Sequence, residues 1–388
     1  MNIFLVDGLR TPIGSPGKGL KEFTAAELAA VTIKEILRRN TIKSELISEV
    51  ILGNTVSAGT GQNFSRQAVV LAQMPVSIPA LTINNVCGSG LQSVILAAQA
   101  ITCGDARMII AGGAESATHN PFIVSKKNQD KIEPKDFIDS LVRDGLWCSM
   151  ANQHMGELAE LIAKEFFVSR EVQDQYSINS HQKACRAQVE YKFSKEITPV
   201  ELKGGAVLIK DDRPRKNVDL EILQHLPPAF KNQGGTVTVG NSSVPCDGAG
   251  AVLVASPEDV KKYKITPRAR ILSYSTVALE PQRVFTAAIL AVKECLKRGQ
   301  LSISDIDLFE ISEAFAVQAI VTREQLKIPE EKMNIFGGDI ALGHPLGAAG
   351  TRVLVTLMHA LAEQKMKRGL SAICLGGGGA VAMAIEKV

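Results

Sequence analysis

Aromatic residues make up only 5% of the 388-residue chain, which leaves little material for surfaces that stack nucleobases. An excess of one charge is also missing. Forty-three basic residues stand against 40 acidic ones, for a net charge of +3. That balance argues against a nucleic-acid-binding protein and still leaves room for a local basic patch that meets phosphates. No uninterrupted apolar run reaches the roughly 18 residues of a membrane-spanning helix. Met1 leads directly into the strand-like Phe4-Leu-Val, with neither a basic and apolar leader nor an Arg/Ser-rich one, so the expected location is the cytoplasm. The seven cysteines, at 87, 103, 148, 185, 246, 295 and 374, are odd in number and scattered, and none forms a C-x-x-C pair. No histidine falls at zinc-finger spacing from them either. A disulfide framework and a structural metal are therefore not expected.

What is present is ordinary globular material, 45% hydrophobic and 21% charged, long enough for two cores. Ala25 to Arg39 has helical spacing, Val50 to Val56 reads as a strand, and Leu91 to Thr102 as a helix. Ala106 to Ala111 reads as a short buried strand closed by Gly112-Gly113. Short apolar strands between helices indicate a parallel or mixed α/β sheet. From about His119 to Gly240 the chain turns polar and charge-rich, as an insertion or lid would. The α/β character returns at Ala249 to Ala255. There is also an internal echo. Cys87-Gly-Ser-Gly leads into a helix and a strand ending in glycines, and His344-Pro-Leu-Gly leads into a helix and a strand ending Gly376-Gly-Gly-Gly. A duplicated α/β unit produces such a pattern.

Three segments carry chemistry. Asn84-Asn-Val-Cys-Gly-Ser-Gly places Cys87 at a strand-to-helix turn, where the positive end of a helix favours a thiolate. Flanking glycines let a ligand approach and leave amides free for an oxyanion. A lone cysteine there is more often a small buried turn residue, and the glycine pattern narrows that margin. Gly343-His-Pro places His344 in a sharp turn rather than on a packed helical face, where an imidazole can take a thiol proton; a turn histidine satisfied by backbone is the plain alternative. Cys374 ends a buried strand before four glycines, where open α/β folds place ligands. The G-x-G-x-x-G spacing of a dinucleotide site is missing.

Together these segments resemble the thiolase family, specifically its acetyl-CoA acetyltransferase (acetoacetyl-CoA thiolase) branch. Arg10-Thr-Pro, Gly61-Gln-Asn-Phe-Ser-Arg-Gln-Ala, Gly112-Gly-Ala-Glu-Ser-Ala, Gln153-His-Met-Gly, Pro228-Ala-Phe and Ile385-Glu extend the resemblance over essentially the whole chain. It implies a five-layer α/β/α/β/α fold from two similar halves: residues 1–118 completed by 245–266, and residues 267–388. Residues 119–244 would form an inserted loop domain that binds coenzyme A. Cys87 resembles the acetylated nucleophile, His344 its base, and Cys374 the cysteine that shuttles a proton. Cys87 and Gly376 would supply oxyanion-hole amides. His154, Met155, Ala314 and Phe315 match the acyl pocket, Ser243 the pantetheine contact and Arg215 the nucleotide contact. No permanently bound cofactor is implied; coenzyme A thioesters are substrates, and the partner is a second copy, in a homodimer or homotetramer. Residues 122–140 do not closely match the usual tetramerisation loop.

The sequence also departs from the family. Ser312 stands where an Asn usually orders a water for a second oxyanion hole, and a hydroxyl lacks amide geometry. Asp339 stands where a small residue is common, and Phe336 replaces an Asn. Two alternatives follow: a divergent subunit that binds acyl-CoA with weak or no turnover, and a condensing enzyme of the β-ketoacyl synthase type, which uses one Cys and two His.

Overall fold

The computed structural model describes residues 3–128 and 132–388. Its main strands are β1 (Phe4–Arg10), β2 (Glu49–Gly53), β3 (Ala80–Ile83), β4 (Met108–Glu115), β5 (Gly248–Ala255), β6 (Ala269–Ala278), β7 (Leu308–Ile311), β8 (Arg368–Leu375) and β9 (Gly379–Lys387). They form one mixed sheet in the order β7-β8-β9-β6-β1-β5-β4-β2-β3. Its principal helices are α1 (Ala25–Asn40), α2 (Phe64–Leu71), α3 (Ser89–Cys103), α4 (Met155–Glu165), α5 (Arg170–Val189), α6 (Ala287–Gly299), α7 (Ala316–Leu326) and α8 (Leu346–Glu363).

Side chains alternate between two cores along each strand, as the two-residue period of a strand requires. Ile51, Ile109, Ala111, Val252 and Val254 join one core, and Val50, Leu52, Met108, Ile110 and Leu253 join another under α1 and α2. In the second half Ile373, Val381, Met383 and Ile385 return to the first core. Leu370, Ala372, Ala380, Ala382 and Ala384 instead face a third core with α6 and α7. The shared inner core is filled by α3 and α8, which pack on each other and on strands of both halves. Helix, sheet, helix, sheet, helix is thus the layering, with the central strands β4, β5 and β9 buried almost throughout.

The echo in the sequence is an echo in the sheet. In the first half β2 is parallel to β4, and β4–β5 and β5–β1 are antiparallel. In the second half β7 is parallel to β8, and β8–β9 and β9–β6 are antiparallel. The halves join where Phe4 and Leu5 of β1 pair with Arg270 and Ala269 of β6. Each inner helix precedes the equivalent strand: α3 before β4, α8 before β8. The Val86–Cys103 stretch reaches a mean hydropathy of 1.4, as befits a helix in the innermost layer.

One boundary needs correction. Strand β4 does not close at Gly112-Gly113 but runs through both to Glu115. A side chain at Gly112 would put its Cβ 2.1 Å from the Gly250 carbonyl oxygen, and one at Gly113 would lie 2.0 Å from that of Gly347. These glycines therefore allow close approach within the sheet and to α8, rather than ending the strand. A similar contact locks the inner helices: a Cβ on Gly90 would lie 2.3 Å from Thr351 Oγ1.

Between β4 and β5 the described chain adds no strand to the nine-stranded sheet. It carries α4, α5 and three two-stranded pairs, formed by Phe122–Ile123 with Ile138–Asp139, Trp147–Cys148 with Gln153–His154, and Val200–Glu201 with Val207–Leu208. Of the 122–140 segment, residues 129–131 lie outside the described residues, as do Met1 and Asn2.

Candidate active site

Cys87 stands one residue before Gly88, the N-cap of α3. The turn that presents it is tightly tied. Ser89 Oγ donates to the Val86 carbonyl at 2.6 Å and accepts from the Asn85 amide at 2.8 Å; Thr55 Oγ1 donates to the same carbonyl at 3.0 Å. Val86 itself adopts φ 48°, a left-handed conformation that a β-branched residue resists. Strain of this kind gathers at functional turns, and nothing in the local composition announces it.

His344 follows Gly343, whose φ of 101° turns the chain toward α8. Its own backbone is pinned on both sides: its amide donates to the Val244 carbonyl at 2.9 Å and its carbonyl accepts from the Cys246 amide at 3.2 Å. The ring is buried. Burial disfavours a charged imidazole, but the Cys87 sulfur and the Asp339 carboxylate outweigh it and push His344 up to about 10. Burial works against the Asp339 carboxylate too, yet Arg352, His344 and Ser312 together hold it well below the usual carboxylate range. The third group, Cys374, sits near the end of β8. Burial, reinforced by the neighbouring Cys87 sulfur and Asp339 carboxylate, holds its thiol well above the ordinary cysteine value.

Cys87, His344, Cys374 and Gly376 all line one cavity of about 290 Å³. His154, Met155, Ser243, Ala314 and Phe315 line it as well. His154 caps α4, with Nδ1 accepting from the Gly156 amide at 3.0 Å. An acceptor Nδ1 requires a neutral ring, and burial lowers the His154 pKa in the same sense. The ring stacks on Phe230 at 4.8 Å between centroids, while Phe315 meets Phe230 and Phe285 edge-on at 6.1 and 5.1 Å. The Ser243 amide donates to the Ala314 carbonyl at 3.0 Å, which joins the two segments of this wall.

Two of the candidate site residues, Ser312 and Arg215, are not in the cavity wall. Ser312 is fully buried and donates its hydroxyl to Asp339 Oδ2 at 2.5 Å, so that hydroxyl is directed to a carboxylate. Arg215 is exposed, and its amide donates to His181 Nδ1 at 3.2 Å. Burial, together with Arg215 and Arg213, lowers His181 to about 4. Among the described residues no ion pair engages Arg213, Arg215 or Lys216. Sequence reasoning missed the wall residues Leu146, Phe230, Val284 and Phe285. It also missed the link from Ser312 through Asp339 to His344. Among the described residues no cluster of side chains is arranged to hold a metal ion.

Such an arrangement can form a thiolate beside an imidazolium and hold a second, protonated thiol over the same small, dry space. The family description "Thiolase, N-terminal domain" matches residues 3–258, and "Thiolase, C-terminal domain" matches residues 265–387. An acetyl-CoA acetyltransferase of Cupriavidus necator is 41% identical over 100% of this chain and 99% of its own. A probable acetyl-CoA acyltransferase of Staphylococcus aureus is 42% identical over 99% of both. Among solved structures, a thiolase from Ascaris suum in complex with coenzyme A superposes with a TM-score of 0.94 at 38% identity, covering 100% of both chains. The Bacillus anthracis acetyl-CoA acetyltransferase does so with a TM-score of 0.96 at 32% identity, covering 100% of this chain and 99% of that one.

Proposed function

The chain belongs to the thiolase family, and from that premise we propose that it is an acyltransferase carrying an acetyl group on Cys87. Its reaction would be the making or cleaving of 3-ketoacyl-CoA, chiefly the interchange of two acetyl-CoA with acetoacetyl-CoA and CoA. In the cleaving direction the Cys87 proton passes to His344, and the thiolate attacks the 3-keto carbon. The bond between carbons 2 and 3 breaks, and the acetyl-CoA carbanion takes its proton from the Cys374 thiol. CoA then gives its thiol proton to Cys374 and attacks acetyl-Cys87; the thioester bond to Cys87 breaks, the second acetyl-CoA leaves, and the freed thiolate takes back its proton from His344. The amides of Cys87 and Gly376 would stabilise the oxyanion. The elevated Cys374 thiol suits this role, because it keeps its proton until a strongly basic carbanion forms.

The observation that carries the reading is the convergence of two cysteine side chains and one imidazole on a single apolar cavity. The one-cysteine, two-histidine scheme of a condensing synthase fits less well, because His154 spends Nδ1 on the α4 cap while Cys374 shares the cavity. Incubation with radiolabelled acetyl-CoA, followed by digestion, should place label on the Cys87 peptide. An unlabelled Cys87 would refute the proposal.

The same reading gives residues 119–244 the role of a coenzyme A-binding insertion. Arg213, Arg215 and Lys216, none of them held in an ion pair among the described residues, would meet the nucleotide phosphates, and Ser243 the pantetheine. Strand β3, at one edge of the sheet, would pair with a second copy in at least a homodimer. Seven free cysteines suit a reducing, cytoplasmic setting.

A further inference from the structure

The site contains a carboxylate that the proposed chemistry does not use. Asp339 lies in the short helix Asp339–Leu342, is fully buried, and points its two oxygens in different directions. Oδ1 accepts from Arg352 Nη2 at 2.7 Å. Oδ2 accepts from the Ser312 hydroxyl at 2.5 Å and from the Glu313 amide at 3.0 Å, and lies 3.4 Å from His344 Nδ1. That last distance is long for a hydrogen bond, and Nδ1 has no bonded partner. Asp339 is therefore the anion that faces this nitrogen, acting through its charge, and Nε2 is the ring nitrogen left for Cys87.

We propose that Asp339 is a positioning residue that makes Cys87, His344 and Asp339 a thiol–imidazole–carboxylate triad, with Ser312 holding the carboxylate in place. The proposal rests on the reading of Cys87 and His344 as nucleophile and base. A carboxylate on the far nitrogen fixes the tautomer and favours the imidazolium once the thiol proton has crossed. The balance of the transfer is simple: the proton leaves Cys87 Sγ for His344 Nε2, and Asp339 stays ionised throughout. Three donors besides the histidine surround the carboxylate, so its aim does not depend on the imidazole. Ser312 and Asp339 thus form one device.

The titratable and charged groups around His344 come from several elements. Cys87 precedes α3, Cys374 lies one residue before the end of β8, and Arg352 on α8 pairs with Asp339 at 2.7 Å and with Glu310 at 3.2 Å. Glu313 follows β7, and Cys246 and Arg213 lie behind the Gly343 turn. Of these, only Asp339 is placed at the histidine's Nδ1.

The test uses the full chain with histidine-ring labelling and NMR, together with the iodoacetamide rate at Cys87 read by peptide mass spectrometry. In the unsubstituted protein the His344 ring should remain charged well above neutral pH. In Asp339→Asn, whose one carbonyl oxygen can still accept from both Ser312 and Glu313, its titration should move at least one pH unit lower. The pH profile of Cys87 alkylation should change with it, because the thiolate and the imidazolium are coupled through one proton. Ser312→Ala, which removes one donor but no charge, should shift the ring far less. A folded Asp339→Asn protein with an unmoved ring titration would overturn the proposal. So would an unsubstituted protein whose His344 titrates near the ordinary histidine value, a result that needs no variant to fold. Labelling of Cys87 by acetyl-CoA is measured separately, so the acyl-enzyme reading can stand if the triad falls.

Discussion

Substituting Gly90 by alanine tests whether the crossing of the two inner helices sets the distance between Cys87 and His344. Cys87 stands three positions before Gly90, and His344 stands two positions before α8 begins. The new Cβ would lie 2.3 Å from Thr351 Oγ1, 2.8 Å from the Thr351 backbone nitrogen and 2.9 Å from the Gly347 carbonyl oxygen. The hydroxyl can rotate away, but the two backbone atoms cannot. Restoring ordinary contacts then requires the helices to part by about 0.5–1 Å. Overpacking of this kind costs about 1–3 kcal/mol, and a misplacement near 1 Å can cost about 100-fold in rate. The control is Gly104→Ala at the other end of α3, where φ is +85° and nothing lies within 4 Å of the added carbon. It should cost about 1–2 kcal/mol through backbone strain alone while leaving the crossing intact. Chemical denaturation gives the stabilities, and single-turnover acyl transfer at a temperature where both variants are folded gives the rates. Similar destabilisation with a large rate loss only in Gly90→Ala is the expected result. Equal rates in the two variants would refute the link between crossing and chemistry.

Cys374→Ala should still take label from acetyl-CoA on Cys87 but lose carbon–carbon bond cleavage by at least 100-fold, the lower range for a lost acid–base group; normal thiolysis would remove Cys374 from the mechanism. His181→Asn probes the basic patch through pH. The folded pKa is lowered to about 4 against about 6.5 unfolded, so the unfolded chain binds the extra proton in between. The stability from keeping this ring neutral is present above pH 6.5 and is lost as pH falls toward 4. The urea midpoint should therefore drop less between pH 7 and pH 5 in the variant, and an equal drop would contradict the assignment. Replacing Arg213 and Arg215 together by alanine should raise the KM for CoA and flatten its salt dependence with kcat little changed; an unchanged KM would move the phosphates elsewhere.

Cys87, His344 and Cys374 stood out in the sequence because glycines beside each mark an unusual turn, and the fold brings all three to one cavity. The same reasoning misplaced the end of β4, since Gly112 and Gly113 serve contacts with Gly250 and Gly347 that lie far along the chain. Phe230 and Phe285 carry no local pattern that separates a cavity wall from a core. Ser312 and Asp339 show how a single position can mislead. Each is visible as a departure, and Ser312 alone reads as a weakened oxyanion site. They lie 27 residues apart in the chain and 2.5 Å apart in the fold. A buried serine that merely lost an amide would be a defect, whereas one bonded to a carboxylate facing the base is part of a different solution. The partner of the Ser312 hydroxyl, and the charge that partner sets beside His344, decide what the substitution does.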